Sequence, residues 1–243
     1  MEPVEYELMA SLEAGFWWYR ALHAAVAARI QLLPLPASPC ILDAGCGTGG
    51  LLHYLMEHQI CPQAQLIGLE WDARAASLSH DKSDIPIVRG SVNSLPFRPD
   101  TFHVILSQDV LYHANVDEAA TLQEFHRCLA PGGHLLLNLP AFEWLRSAHD
   151  THVHGVRRYT ASRCKILLER HGFKPVRIGY WNSLLFPLMV LQRLTVGKLK
   201  QSSDVEPLPA WQDKLFFTVL DFERKLGLQL PFGGSVWAWG TKL

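Results

Sequence analysis

The chain has 243 residues, 49% hydrophobic and 19% charged, which suits one large domain with an appendage and is enough to bury a proper core. With 22 basic residues against 23 acidic ones the formal charge is −1, so no broad basic surface is expected and a nucleic-acid substrate is disfavoured. Five scattered cysteines (Cys40, Cys46, Cys61, Cys128, Cys164) form no CxxC and read as reduced thiols, and MEPVEYELMA lacks the basic n-region of a signal peptide, so a cytoplasmic protein is expected.

In chain order, residues 1–38 read as an N-terminal helical cap, with a helix carrying GFWWYRALHAAVAARI (15–30). CILDAG (40–45) is a strand-length apolar run that ends in glycine, and GGLLHYLMEH (49–58) follows with helical spacing. QLIGLE (65–70) is a second strand, and DARAASLSH (72–80) a helix opened by Asp72 as N-cap. IPIVRG (85–90) and FHVILSQ (102–108) are the third and fourth runs. A helix over 115–129 puts Leu122, Phe125 and Leu129 on one stripe, and APGG (130–133) stops it before a fifth run, GHLLLNLP (133–140).

Thr160 is placed to cap a helix running through His171, with Gly172 at its left-handed end. KPVRIGYW (174–181) and SVWAWGTK (235–242) are the sixth and seventh strands. Strands alternating with helices imply a mostly parallel α/β sheet. The core is expected over 39–181 and 232–243. Residues 182–231 interrupt the alternation and read as an inserted helical lid over the sheet's ligand edge. The longest apolar stretch, LLFPLMVLQRLTV (184–196), is shorter than the roughly 20 residues a bilayer span needs. It reads as a buried helix, with membrane-surface contact as the alternative.

ILDAGCGTGG (41–50) runs a strand into Gly45, Gly47 and Gly49 and then a helix, the arrangement that lets backbone approach a ligand at the carboxyl end of the first strand. The same residues fit Gly45-x-Gly47-x-x-Gly50, with Glu70 twenty positions on, so the glycines alone leave a dinucleotide open. Asp43 decides. A carboxylate there would repel a pyrophosphate at the helix N-terminus, whereas it suits a cationic ammonium group. S-adenosylmethionine combines such an ammonium with a ribose diol that Glu70 can accept.

ILDAGCGTG, LIGLEWD, SLPFRPDTFHVILSQDVLYH and RCLAPGGHLLLNLP, in order over 39–180, resemble consecutive motifs of the class I S-adenosylmethionine-dependent methyltransferases. The resemblance implies a Rossmann-like seven-stranded sheet of order 3-2-1-4-5-7-6 with strand seven antiparallel. It also implies that Asp43, Gly45, Cys46 and Gly47 hold the methionine part of the cofactor, Glu70 the ribose and Trp71 the adenine. Gln108 would lie beneath the sulfonium, with Tyr112 and His113 near it. Ser91 and Val92 stand where many members carry an acid for the adenine amine. Related small-molecule enzymes have a similar aromatic–arginine entry helix, which would bring Tyr19 and Arg20 to the cofactor, Arg20 suiting its carboxylate.

SAHDTHVHGVRRYT (147–160) follows the fifth strand, where the methyl group would be presented. Three readings stand. His149, Asp150, His152 and His154 could converge on a metal, though methyl transfer requires none. His149 or His154 could be a catalytic base, with Arg157 and Arg158 clamping an acidic substrate group and Tyr159 touching substrate. The stretch could also be a polar loop whose Arg and Tyr brace the next helix, with His152 left solvated. HD…RRYT resembles a pattern in bacterial small-molecule and cell-surface methyltransferases.

The Asn/Asp-Pro-Pro-aromatic signature of base amino-methyltransferases is absent after strand four, which reads SQDVLYH. The apolar, aromatic 182–231 insertion favours a small hydrophobic substrate, methylated on oxygen or nitrogen with S-adenosyl-L-homocysteine as product; it could instead form a homodimer interface. Two other functions fit the same motifs. One is a cofactor-binding enzyme of this fold that catalyses a non-methyl-transfer reaction such as a cyclisation, and the other is a non-catalytic binding module.

Overall fold

The computed structural model describes residues 3–147, 150–151, 153–195 and 208–243. Seven strands form one sheet in the order β3-β2-β1-β4-β5-β7-β6. They are β1 (Cys40–Ala44), β2 (Gln65–Glu70), β3 (Ile87–Arg89), β4 (Phe102–Gln108), β5 (Leu129–Pro140), β6 (Phe173–Trp181) and β7 (Ser235–Lys242). The first five pair in parallel, while β7 runs antiparallel to both β5 and β6. Strand order and the direction of β7 are those expected from the sequence.

Helices cover both faces, so the central strands are apolar on both sides and read as continuous hydrophobic runs. Alternate residues feed two cores. Leu42, Ile105, Leu135 and Leu137 meet Leu122 and Phe125 of α5 (Glu118–Cys128) and Leu168 of α6 (Ala161–Arg170). Ile41, Val104, Leu106 and Leu136 meet Val26 and Ile30 of α2 (Trp17–Ile30) and Leu51 and Leu55 of α3 (Gly50–Glu57). Each such fully buried side chain contributes about 1.5–3 kcal/mol relative to exposure.

Capping fixes the helix starts. Asp72 accepts from the N–H of Arg74 and Ala75 to open α4 (Ala73–Lys82), Asp117 from those of Ala119 and Ala120 to open α5, and Thr160 from that of Arg163 to open α6. Gly172 follows α6 at φ +82°. Two boundaries differ from the sequence reading. Leu129 belongs to β5, because it pairs with Phe102, and APGG is an irregularity inside that strand rather than a stop before it. A further helix, α1 (Pro3–Leu12), precedes α2 within residues 1–38, the stretch read as a helical cap.

Between β6 and β7 lie α7 (Phe186–Thr195) and α8 (Ala210–Leu226). The buried Glu223 of α8 accepts from the backbone N–H of Ser183 and Leu184, tying α8 to the chain entering α7. α8 lies along α2, where the Arg20 guanidinium sits 4.2 Å from the Phe217 ring centroid and Trp17 meets Phe216 edge-on at 5.4 Å. Among the described residues no helix is long and apolar enough to cross a membrane.

Candidate active site

The order of the sheet reverses between β1 and β4, which opens a crevice at the strands' carboxyl ends. A cavity of about 810 Å³ occupies it. Its floor is the loop after β1 together with the ends of β2 and β4, and its walls come from α1, α2, the 147–158 segment and α7. Backbone with positive φ gathers at this rim: Gly45 (+86°), Gly47 (+55°), Asp109 (+52°), His154 (+55°) and Asn182 (+56°). For the three non-glycine residues this conformation is costly, and such strain clusters at functional sites.

The glycine loop is closely packed. A Cβ on Gly45 would fall 2.5 Å from Val110 Cγ2, and one on Gly47 would fall 2.8 Å from Met9 Cε of α1. Glu70 closes the loop, its carboxylate accepting from the N–H of Gly47 and of Asp72, each at 2.9 Å. Burial raises the Glu70 pKa, and those two N–H bonds oppose the rise. Asp43 is 2% exposed and lines the cavity beside it. Burial, and after it the charge of Glu70, push the Asp43 carboxyl up to about 7. A buried acid in that condition is stabilised by a cationic partner. Of the other residues expected here, Cys46 is buried with Sγ 3.9 Å from Ser79 Oγ, Tyr19, Ser91 and Val92 line the wall, and Trp71 stands at the rim, 70% exposed.

At the end of β4, Gln108 donates Nε2 to the Leu136 carbonyl at 3.2 Å, so its Oε1 is buried without a donor. Asp109, next in the chain, is held by Asn138 Nδ2 at 2.9 Å, and Asn138 Oδ1 in turn accepts from the Trp181 indole N–H at 2.7 Å. Burial lifts the Asp109 carboxyl to about 7, against the Asn138 bond and the nearby Arg158 charge. Tyr112 and His113 follow. Burial raises the Tyr112 phenol well above its usual range and lowers His113 to about 4, so its ring is neutral, with Nδ1 2.7 Å from the Val153 carbonyl.

The histidine segment is built around a buried ion pair. Arg158 meets Asp150 with two parallel bonds of 2.9 Å and donates a third to the Ala141 carbonyl. Burial opposes ionisation of Asp150, but the Arg158 fork and the Ser147 N–H hold its carboxyl below the usual range. The guanidinium expected to clamp substrate is thus committed to the protein. Arg157 turns away from the cavity to Glu118 and the Val116 carbonyl. Tyr159, 1% exposed, donates its hydroxyl to the Leu111 carbonyl at 3.0 Å, a bracing contact, and is not among the cavity's lining residues. Arg20 also lies off the cavity, paired with Asp213 of α8. His154 lines the cavity, while His149 and His152 lie outside the described residues. Among the described residues no three His, Cys, Asp or Glu side chains converge as metal ligands.

The family model for a methyltransferase domain matches residues 42–137, the stretch from β1 to β5 that forms the cavity floor. This stretch is similar to a methyltransferase domain. Over 114 residues, the chain is 35% identical to a malonyl-[acyl-carrier protein] O-methyltransferase of Herminiimonas arsenicoxydans, covering 46% of the chain and 42% of that protein. It is 29% identical over 119 residues to a tRNA (carboxymethyluridine(34)-5-O)-methyltransferase of Arabidopsis thaliana, covering 48% of the chain and 27% of that protein. The matches thus span less than half the length of these relatives. In fold it is similar to geranyl diphosphate C-methyltransferase of Streptomyces coelicolor, solved with geranyl diphosphate and S-adenosyl-L-homocysteine, at TM-score 0.62 and 16% identity, covering 93% of the chain and 81% of that structure.

Several residues lining the cavity carry no local sequence signal. Tyr6 and Met9 come from α1, Glu13 from the turn after it and Asn182 from just beyond β6, whereas Leu185, Leu188, Met189 and Phe216 belong to the apolar stretch read as a lid. Asp109 had one: an acid next to Gln108 in the quoted SQDVLYH.

Proposed function

We propose that the protein is an S-adenosylmethionine-dependent methyltransferase that methylates an oxygen or nitrogen of a small, largely apolar molecule. One observation carries the reading: a single cavity joins the Asp43–Glu70 end of the sheet to an apolar wall of Leu185, Leu188, Met189 and Phe216.

The residues present fit the cofactor. Asp43 would take its α-amino group, Glu70 its ribose hydroxyls, and the free Oε1 of Gln108 a donor at the methionine end. Gly45 and Gly47 give the backbone room, and Trp71, Ser91 and Val92 flank the adenine side, with Tyr19, Tyr112 and His113 around the remainder. Bound there, the cofactor supplies an electrophilic methyl group on sulfur. The chain's own part is to align the acceptor atom with that methyl, exclude water and receive a proton when the acceptor carries one. Asp109 and His154 line the cavity as proton acceptors. His149 is retained as a candidate beside them. Arg158 and Asp150 hold the segment in place, and the insertion closes over the apolar part of the substrate.

The test is incubation with methyl-labelled S-adenosylmethionine and a whole-cell extract, followed by separation of organic, aqueous and RNA fractions. Label in the organic phase is expected, lost in Asp43→Ala together with cofactor binding. Label in the RNA fraction would overturn the substrate class. Turnover that leaves the cofactor unchanged would overturn methyl transfer itself.

A further inference from the structure

A second, smaller crevice lies apart from the cavity and shares none of its lining residues. It is enclosed by Ala25 and Arg29 of α2, by Arg224 and the end of α8, and by Arg177, Trp181, Trp237 and Trp239 on the β6–β7 face. Its volume is about 50 Å³, several times the roughly 10–15 Å³ that one water requires.

Three arginines line this crevice against one acid, Glu223. Burial, and after it the charge of Arg177, lower Arg29 to about 10. Among the described residues, no hydrogen bond or ion pair answers the Arg29 guanidinium. Among the described residues, Arg177 reaches only neutral partners, the Gly227 carbonyl at 3.4 Å and the Gln229 amide oxygen. The Trp239 indole N–H is buried and has no acceptor among the described residues. Both acids of this region have other partners: Glu223, in the lining, accepts from the N–H groups of Ser183 and Leu184, and Asp221, outside it, pairs with Arg224 and Lys225. Arg29 and Arg224 each sit in the last turn of a helix, where a cation is favourable. That accounts for a cation at each helix end. It does not account for Arg177 brought against Arg29, or for a buried donor left without an acceptor.

We propose that this crevice binds a small oxyanion, a phosphate or carboxylate group, held by Arg29, Arg177 and the indole N–H of Trp239. Guanidinium groups suit such acceptors because their planar forks match paired oxygens. An anion neutralises the like-charge pair and supplies the acceptor that Trp239 lacks. The proposal is independent of the methyl-transfer reading.

The experiment uses the full chain and follows tryptophan fluorescence, since three tryptophans wall the crevice. Inorganic phosphate and acetate are titrated separately at ionic strength matched with chloride. A saturable change with phosphate, acetate or both is expected, and the two arms tell which oxyanion the site takes. Arg29→Met is expected to raise the apparent Kd at least tenfold and Trp239→Phe to raise it by a smaller factor, while Arg170→Met on the exposed face of α6 leaves it unchanged. Phosphate also stabilises proteins non-specifically, and that effect would persist in Arg29→Met. Responses equal in wild type and Arg29→Met, or no response beyond chloride in wild type, would overturn the proposal.

Discussion

The carboxylate of Asp213 on α8 accepts the backbone N–H of Trp17, the first residue of α2, at 2.7 Å, and pairs with Arg20 at 3.3 Å. Phe16, at the N-cap position of α2, offers no side-chain cap, so the insertion supplies one from 196 positions away. The same helix carries Trp17, Trp18, Tyr19 and Leu22 into the cavity wall. The inserted segment and the N-terminal cap are therefore one unit around the site. Asp213→Ala is expected to cost about 1–2 kcal/mol, the usual range for a lost cap, and to weaken cofactor binding while the sheet stays intact. Urea denaturation and a cofactor titration on the same variant check both parts.

Arg158 and Asp150 predict a different signature. Removing one member of a buried, fork-bonded pair costs about 3–5 kcal/mol, because the partner keeps its charge without compensation. Arg158→Met is expected to lose stability on that scale and to lower kcat through disorder of the 147–158 segment. An arginine that clamped substrate would behave otherwise, raising KM at unchanged stability. Thermal denaturation alongside steady-state kinetics separates the two. Arg158→Met with Asp150→Leu is expected to recover part of the lost stability and none of the activity.

The two loop glycines should respond unequally to alanine. At Gly45 the new methyl meets a branched carbon of Val110 and the backbone sits at φ +86°. At Gly47 it meets the terminal methyl of Met9, which can swing aside. Gly45→Ala is expected to abolish cofactor binding, and Gly47→Ala to weaken it by roughly tenfold, about 1.4 kcal/mol, with partial rescue by Met9→Ala. Equal losses at both positions would show that strain in the loop, rather than packing, sets the response.

What the sequence made legible was local. The strands, the glycine loop and the caps at Asp72 and Thr160 follow from patterns a few residues long, and the family motifs ordered the sheet. The site's remaining determinants are pairings between distant positions. Arg20 finds Asp213 across 193 residues, and Trp181 reaches Asn138 across 43. In the histidine segment the residue types were visible but their partners were not: spacing shows Arg158 next to Tyr159, and only the fold turns one onto Asp150 and the other onto Leu111. Helix α1 was illegible for the same reason, since its contacts are distant ones, Glu7 with Arg74 and Met9 against Gly47, and the turn after it is anchored by the buried Glu13 beside Gly50 and Lys82.

Asp43 and Asp109 make the last prediction, and stability and binding move in opposite directions. Both carboxyls are raised from 3.8 to about 7 in the folded chain. The folded state therefore holds protons that the unfolded chain has released between about pH 4 and 7, and stability of the ligand-free protein falls as pH rises through that window. Asp109→Asn should flatten part of this slope and gain up to a few kcal/mol above pH 7, since each pKa unit is about 1.4 kcal/mol, while lowering turnover if the carboxylate receives the proton. Affinity for a cationic ligand has the other sign, because it needs Asp43 ionised. About a tenth of Asp43 is charged at pH 6 and nearly all at pH 8, so the cofactor Kd should fall roughly tenfold over that range. Asp43→Asn should bind weakly and without this pH dependence. Calorimetric titrations at pH 6, 7 and 8 decide it: a wild-type Kd that is flat across them would remove Asp43 from contact with the ammonium group.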